Sequence, residues 1–309
     1  MKDRRKDFRS SLFVIAIALV SLVALQFVYA FVLGMIVAVA SGGNEEAVQM
    51  TQAEMQGSLL FMGPLFLLMI FLPVLLFKFF YGRSATELGL TKKNIVKPLI
   101  FGLLFGILSI CMAVGPLLLS GQVVLMSITP ENILTPGFAS ALVLFIFVGI
   151  NEELFFRGFV MTVLKPTGSR AMIVLFSSLL FGVMHLGNPN ITFFAVLNIA
   201  LVGVLFALLF IRTGNLWAPI GYHITWNFFQ GNVFGIEVSG TQAGVSIFSV
   251  QLGGAEWLTG GAFGIEGGFM CTVAILIGIV FTLFVLKKPE NPDWSLTSGL
   301  PLERKKKSA

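Results

Sequence analysis

Apolar residues run along this chain in long blocks, each bounded by charge or by Gly/Pro-rich polar sequence. Eight blocks can be delimited: Leu12 to Ala40, Ser58 to Phe80, Pro98 to Ser120, Phe138 to Leu164, Ala171 to Gly187, Ile191 to Ile211, Leu216 to Gly235 and Gly268 to Leu286. Apolar runs of about 18 residues or more predict membrane-crossing helices. Barrel strands would alternate polar and apolar positions, which these blocks do not. The first block follows Lys2, Arg4, Arg5, Lys6 and Arg9 and ends in Ala38-Val39-Ala40, like a signal peptide. A cleavable apolar region is only about 7–15 residues long, so the block is read as a retained, tilted first span.

The basic residues test this count, because a missed or invented helix would scramble their distribution between alternate loops. Five lie at the N-terminus, five in the second loop (Lys78, Arg83, Lys92, Lys93, Lys97), two in the fourth (Lys165, Arg170), one in the sixth (Arg212) and six in the tail (Lys287, Lys288, Arg304, Lys305, Lys306, Lys307). The intervening loops, around Glu45, Glu131, Asn188 and Glu237 to Glu266, hold none, and the twentieth basic residue, Arg157, is inside the fourth block. The expected fold is therefore all-α, a polytopic membrane protein of about eight transmembrane helices with both termini cytoplasmic.

Composition agrees. Of 309 residues 56% are hydrophobic and 11% charged, with mean hydropathy +0.93; a soluble domain carries roughly 25% charged residues. The net charge of +5 resides in short clusters that orient spans, so no nucleic-acid partner is implied. Cys111 and Cys271 lie in apolar runs without metal or redox spacing, and read as small buried side chains. The chain is expected to form one integral membrane domain, residues 1–309. Its longest outer segment, Ile236 to Gly267, is Gly-rich, with an apolar stretch, Val245 to Leu252, suited to the bilayer surface; a working loop and plain disorder are both open for it.

Ionisable residues at membrane depth cost a few kcal/mol each and need a reason to be there. Glu152, Glu153, Arg157, His185 and His223 are such residues, and they include both histidines. At 1.5 Å per residue, Glu152 lies ~20 Å, His185 ~22 Å, His223 ~14 Å and Asn227 ~20 Å from the basic end of their blocks, a similar depth on three helices. Glu153 and Arg157 stand at i,i+4, the spacing of an ion pair, which leaves Glu152 turned about 100° away toward a cavity. His223 and Asn227 are also i,i+4, as are Phe181 and His185, whose rings can pack together. One carboxylate, two imidazoles and an amide could activate water and stabilise an oxyanion. The same groups could instead ligate zinc, tie helices together by hydrogen bonds, or serve a carrier or scaffold.

At these residues the chain resembles the CAAX protease and bacteriocin-processing (CPBP or Abi) family of intramembrane glutamic endopeptidases. Glu152-Glu153-Leu-Phe-Phe-Arg157 matches its E-E-x-x-x-R motif, Phe181-Gly-Val-Met-His185 matches F-x-x-x-H, and His223-Ile-Thr-Trp-Asn227, preceded by Trp217-Ala218-Pro219, matches H-x-x-x-N. The motif-bearing core spans about residues 138–235. The resemblance implies that Glu152 and His185 activate water, that His223 and Asn227 hold the oxyanion, and that Glu153 and Arg157 support them. It implies no cofactor or metal. The partners would be the lipid bilayer and a membrane-associated peptide or protein substrate, in prenyl-protein processing, peptide maturation or bacteriocin immunity. Compactness points to a bacterial plasma membrane.

Overall fold

The computed structural model describes residues 4–42, 59–92 and 94–287. The expectations for Lys2, Ser58, Glu45, Lys93 and the basic tail beyond residue 287 fall outside them. Each of the eight apolar ranges lies on a helix: α1 (Arg4–Ala40), α2 (Leu59–Tyr81), α3 (Val96–Leu119), α4 (Pro136–Glu153, continued by Leu154–Val160 and Met161–Leu164), α5 (Arg170–Met184), α6 (Phe193–Thr213), α7 (Trp217–Phe228, continued by Phe229–Val233) and α8 (Phe269–Phe284). By length and composition five segments among the described residues can cross a membrane: Phe8–Ala40, Met62–Tyr81, Val96–Leu119, Pro136–Thr167 and Phe193–Thr213. Helices α5 and α8 are apolar but shorter.

Large apolar side chains such as Phe27, Leu75, Leu108, Leu179 and Phe284 are exposed on the outside of these helices, the surface a hydrocarbon solvent requires. Between helices, packing rather than hydrophobicity must hold the bundle. Helix α3 meets α7 through Gly102 and Gly106, a G-x-x-x-G pair. A Cβ on Gly102 would collide with the Ala218 carbonyl, so only glycine permits this approach. Thr225 Oγ1 donates to Leu103 O across the same interface at 2.8 Å. Helix α1 lays Ser11, Val14, Ile15, Ala18 and Leu22 against the bundle as one buried stripe, with Ser11 Oγ donating to Val163 O at 2.7 Å.

One feature departs from the all-α expectation. A strand after α3, β1 (Val123–Ile128), pairs antiparallel with β2 (Phe248–Leu252), with an irregular register between Leu125 and Ser127. The Gly-rich segment is thereby ordered and disorder is excluded for it: β2, a helical turn at Glu256–Thr259 and polar ties build a cap. Asn232 Nδ2 donates to Ala243 O and Val245 O, and Gln230 Nε2 to Glu237 O. Asn198 donates to the carbonyls of Glu266 and Gly268 and accepts from Thr272. These amides replace the regular ladder that the loop lacks.

Candidate active site

Under the cap lies a cavity of about 1110 Å³. Glu152, His185, His223 and Asn227 all line it, brought there from α4, the end of α5, and α7. Glu152 is the next-to-last residue of the regular part of α4; the following turn, Leu154–Val160, is a π-helix. The turn after Asn227, Phe229–Val233, is also π. Such wider turns re-aim the residues beside them and concentrate at functional sites. His185 differs from its expected place within a helix: it is the C-cap of α5, with φ −93° and ψ 0°. There the carbonyls of the last turn lack helical partners, and His185 Nδ1 donates to Phe181 O at 2.7 Å.

Glu152 Oε2 stands 3.9 Å from His185 Nε2 and 3.8 Å from His223 Nε2. This oxygen is buried and has no hydrogen-bond donor among the described residues. Beneath it, Glu153 Oε1 accepts from Arg157 Nη1 at 3.0 Å, the pair expected from i,i+4 spacing, and both side chains are fully buried. The same oxygen also accepts from His223 Nδ1 at 3.0 Å, a contact that sequence spacing did not reveal. The consecutive acids thus address opposite nitrogens of one imidazole. This amends the reading of Glu153 as a partner of Arg157 alone.

Aromatic rings complete the setting. The Arg157 guanidinium lies 4.3 Å from the Phe181 ring centre and 5.0 Å from that of Phe206, contacts that stabilise a desolvated cation. Gly203 leaves room beside it, since a Cβ there would stand 3.3 Å from Arg157 Nη2. Phe206 stacks on His223 with ring centres 5.2 Å apart, and Phe181 meets His185 edge-on at 4.7 Å. These rings shield the buried charges and hold both imidazoles in one orientation.

The cavity also takes residues that no motif marks. Cys271 lines its wall, 2% exposed and hydrogen-bonded to neither histidine. Glu266, in the segment assigned to an outer loop, lines it as well. Its Oε2 accepts from Ser239 N at 2.6 Å and Ser239 Oγ at 2.9 Å. Burial raises the Glu266 carboxyl above its usual range, partly offset by the Ser239 donors and by the two histidines. Only its charge could have flagged it in the sequence, because folding alone brings residue 266 back to α4 and α5. Among the described residues no group of three or more His, Cys, Asp or Glu side chains converges closely enough to hold a metal.

Residues 134–229, which run from the start of α4 into the end of α7, match the family model for type II CAAX prenyl endopeptidase Rce1-like proteins. The match agrees with the family resemblance carried by the three motifs, and with the apolar helices it supports an integral membrane protein of CAAX-protease type. No curated protein and no solved structure gives a significant match.

Proposed function

We propose that this chain, whose residues 134–229 carry the CAAX-endopeptidase match, hydrolyses a peptide bond in or beside the bilayer with water activated at Glu152. The observation that carries the proposal is the position of Glu152 Oε2 between the Nε2 atoms of His185 and His223 at 3.9 and 3.8 Å. A carbonyl and a carboxylate can only accept, so Nδ1 of each histidine carries its hydrogen toward Phe181 O and Glu153. In this mechanism His185 is neutral and its Nε2 presents a lone pair, whereas His223, set between Glu153 and Glu152, enters the reaction already protonated, so its Nε2 carries a hydrogen. Atoms at these separations can share one water at ~2.8 Å from each. That water donates to Glu152 and His185 and offers its own lone pair to a carbonyl carbon.

Attack transfers the water proton to Glu152, a general-base contribution of about 10²–10⁴ in rate. Glu152 then returns the proton to the leaving amine. The oxyanion is met by the Asn227 amide and by His223 Nε2–H in the imidazolium form, which Glu153 supports from the other side of the ring. Each such donor contributes about 10²–10³. The apolar wall, including Leu22, Met62, Phe66, Leu144 and Phe145, suits an apolar or lipid-bearing stretch of a membrane-associated substrate, as in peptide maturation, bacteriocin immunity or prenyl-protein processing.

We read the topology as eight spans with cytoplasmic termini in a bacterial plasma membrane. Helices α5 and α8, of 15 and 16 residues, reach only ~22–24 Å, a length that spans accommodate by local thinning of the bilayer or by snorkelling of flanking residues. The test is incubation of the purified protein in lipid nanodiscs with membrane peptides, read by intact mass. Wild type should give fragment pairs whose masses sum to the parent plus one water, and Glu152→Gln should give none. Absence of fragments would favour a carrier or scaffold, and equal cleavage by Glu152→Gln would remove Glu152 from the mechanism.

A further inference from the structure

Resting on the proteolytic reading above, a second question is what substrate the cavity selects. Its two carboxylates are Glu152 and Glu266, and no Lys or Arg of the described residues lines it. Arg157 lies behind the wall, with Glu153 as its partner. The described loops that meet over the cavity, at residues 120–135, 186–192 and 234–268, carry Glu131, Glu237, Glu256 and Glu266 and no basic residue. They form one surface: β1 pairs with β2, Asn188 Nδ2 donates to Ser239 O, and Asn190 Nδ2 to Ala262 O. A peptide approaching from this side meets four carboxylates and no Lys or Arg among the described loop residues, a charge pattern that favours a cationic segment.

Within the cavity, Glu266 is built to hold a fixed carboxylate. Its backbone carbonyl accepts from Asn198 Nδ2 at 2.8 Å. Its Oε2 is held by the N–H and hydroxyl of Ser239, a residue in the left-handed region at φ 49°. The residue keeps some exposure while its carboxyl is largely enclosed, it lines the cavity, and Oε1 takes no hydrogen bond among the described residues, so one oxygen is left to take a partner there. Two neutral donors from Ser239 do not neutralise its charge. A cationic side chain would complete the coordination with a charge-assisted hydrogen bond. A substrate carboxylate there would add a third negative charge beside Glu152 and Glu266, a repulsive element that discriminates as strongly as an attractive one.

We propose that Glu266 is a specificity-determining residue that receives a Lys or Arg side chain of the peptide substrate close to the scissile bond. The experiment uses full-length protein in nanodiscs and one cleavable membrane peptide in matched versions. At each position within three residues of the cleaved bond it carries Lys, its neutral isostere norleucine, or Glu. At one of these positions wild type should cleave the Lys peptide with a kcat/KM about tenfold above norleucine, the range of one charge-assisted hydrogen bond, and the Glu peptide more slowly than either. The Lys-to-norleucine ratio should fall to near one in Glu266→Gln, and the preference should move toward the Glu peptide in Glu266→Lys. A wild-type enzyme that cleaves all versions alike, or a Lys preference that survives in Glu266→Gln, overturns the assignment while leaving proteolysis intact. Cleavage of no version would overturn the proteolytic reading and this inference with it. Should either variant fail to accumulate, the wild-type comparison decides.

Discussion

Removing Arg157 should expose how the buried charges under the site are held. In Arg157→Ala, Glu153 loses the 3.0 Å guanidinium contact while remaining fully buried, and the Phe181 and Phe206 rings lose the cation between them. Breaking a buried pair by removing one partner costs about 3–5 kcal/mol. His223 Nδ1 still donates to Glu153, so the lower end of that range, ~3 kcal/mol, is expected. In the double variant Glu153→Gln with Arg157→Met, both charges go. The methionine refills the space against the rings, and the glutamine amide oxygen still accepts from His223. Most of the lost stability should return, as it often does when a buried pair is replaced by neutral groups.

Activity should not return with it. A neutral glutamine in place of Glu153 cannot support the His223 imidazolium, so kcat should remain about 10–100-fold below wild type, or ~1.4–2.8 kcal/mol in the barrier. The assay is thermal unfolding followed by fluorescence-detected size exclusion, beside peptide hydrolysis on the same preparations. A double variant as unstable as Arg157→Ala would show that charge pairing is not what stabilises this helix pair. A double variant with wild-type kcat would show that the Glu153–His223 contact plays no part in catalysis.

Glu152→Gln should abolish turnover with little change in melting temperature, since it keeps shape but cannot take a proton; unfolding comparable to Arg157→Ala would make Glu152 structural. Cys271→Ala should retain activity, and thiol alkylation should not inhibit wild type; loss in both would point to a covalent thiol route. Chelation should leave hydrolysis unchanged and metal analysis should find no stoichiometric zinc, whereas joint loss of metal and activity would assign the same side chains to a zinc hydrolase. The Glu266 carboxyl is raised above its ordinary value of 4.5 by burial, so the folded state binds its proton more tightly than the unfolded chain does. That contribution is present at low pH and is lost as pH rises through the window above 4.5. Wild type should therefore gain stability relative to Glu266→Gln on acidification through that window, and a pH-independent difference would contradict it. Cysteine-accessibility labelling should place Lys92 in the cytoplasm and Gln251 outside; labelling of Gln251 from the cytoplasmic side alone would mean that a span is miscounted.

Much of this protein is legible locally. Length and uniform apolarity of a block decide that it becomes a helix, because in hydrocarbon every backbone group must find its bond within the segment. The i,i+4 spacing of Glu153 with Arg157, and of Phe181 with His185, sufficed to place those pairs together. Helix geometry on one segment needs no knowledge of the others. The depth match of Glu152, His185 and His223 likewise required only rise per residue and the side on which each block begins.

What remained hidden depends on rotation and return of the chain. That Glu153 serves His223 as well as Arg157 follows from how α4 and α7 are turned toward each other, which α7 settles through its close glycine contacts with α3 rather than through any feature of residue 153. The pairing of β1 with β2 joins segments more than a hundred residues apart, and its short strands carry no alternation strong enough to read against the apolar background. Glu266 and Cys271 reach the cavity only because the segment after α7 folds back over it, tied by the amides of Gln230, Asn232 and Asn198 to backbone carbonyls. The sequence does not mark these ties, because a carbonyl acceptor exists at every residue and nothing shows which one will be used. Block length and apolarity thus determined the helices, and helical spacing the face each motif presents, while tertiary packing decided which faces meet and what closes over them.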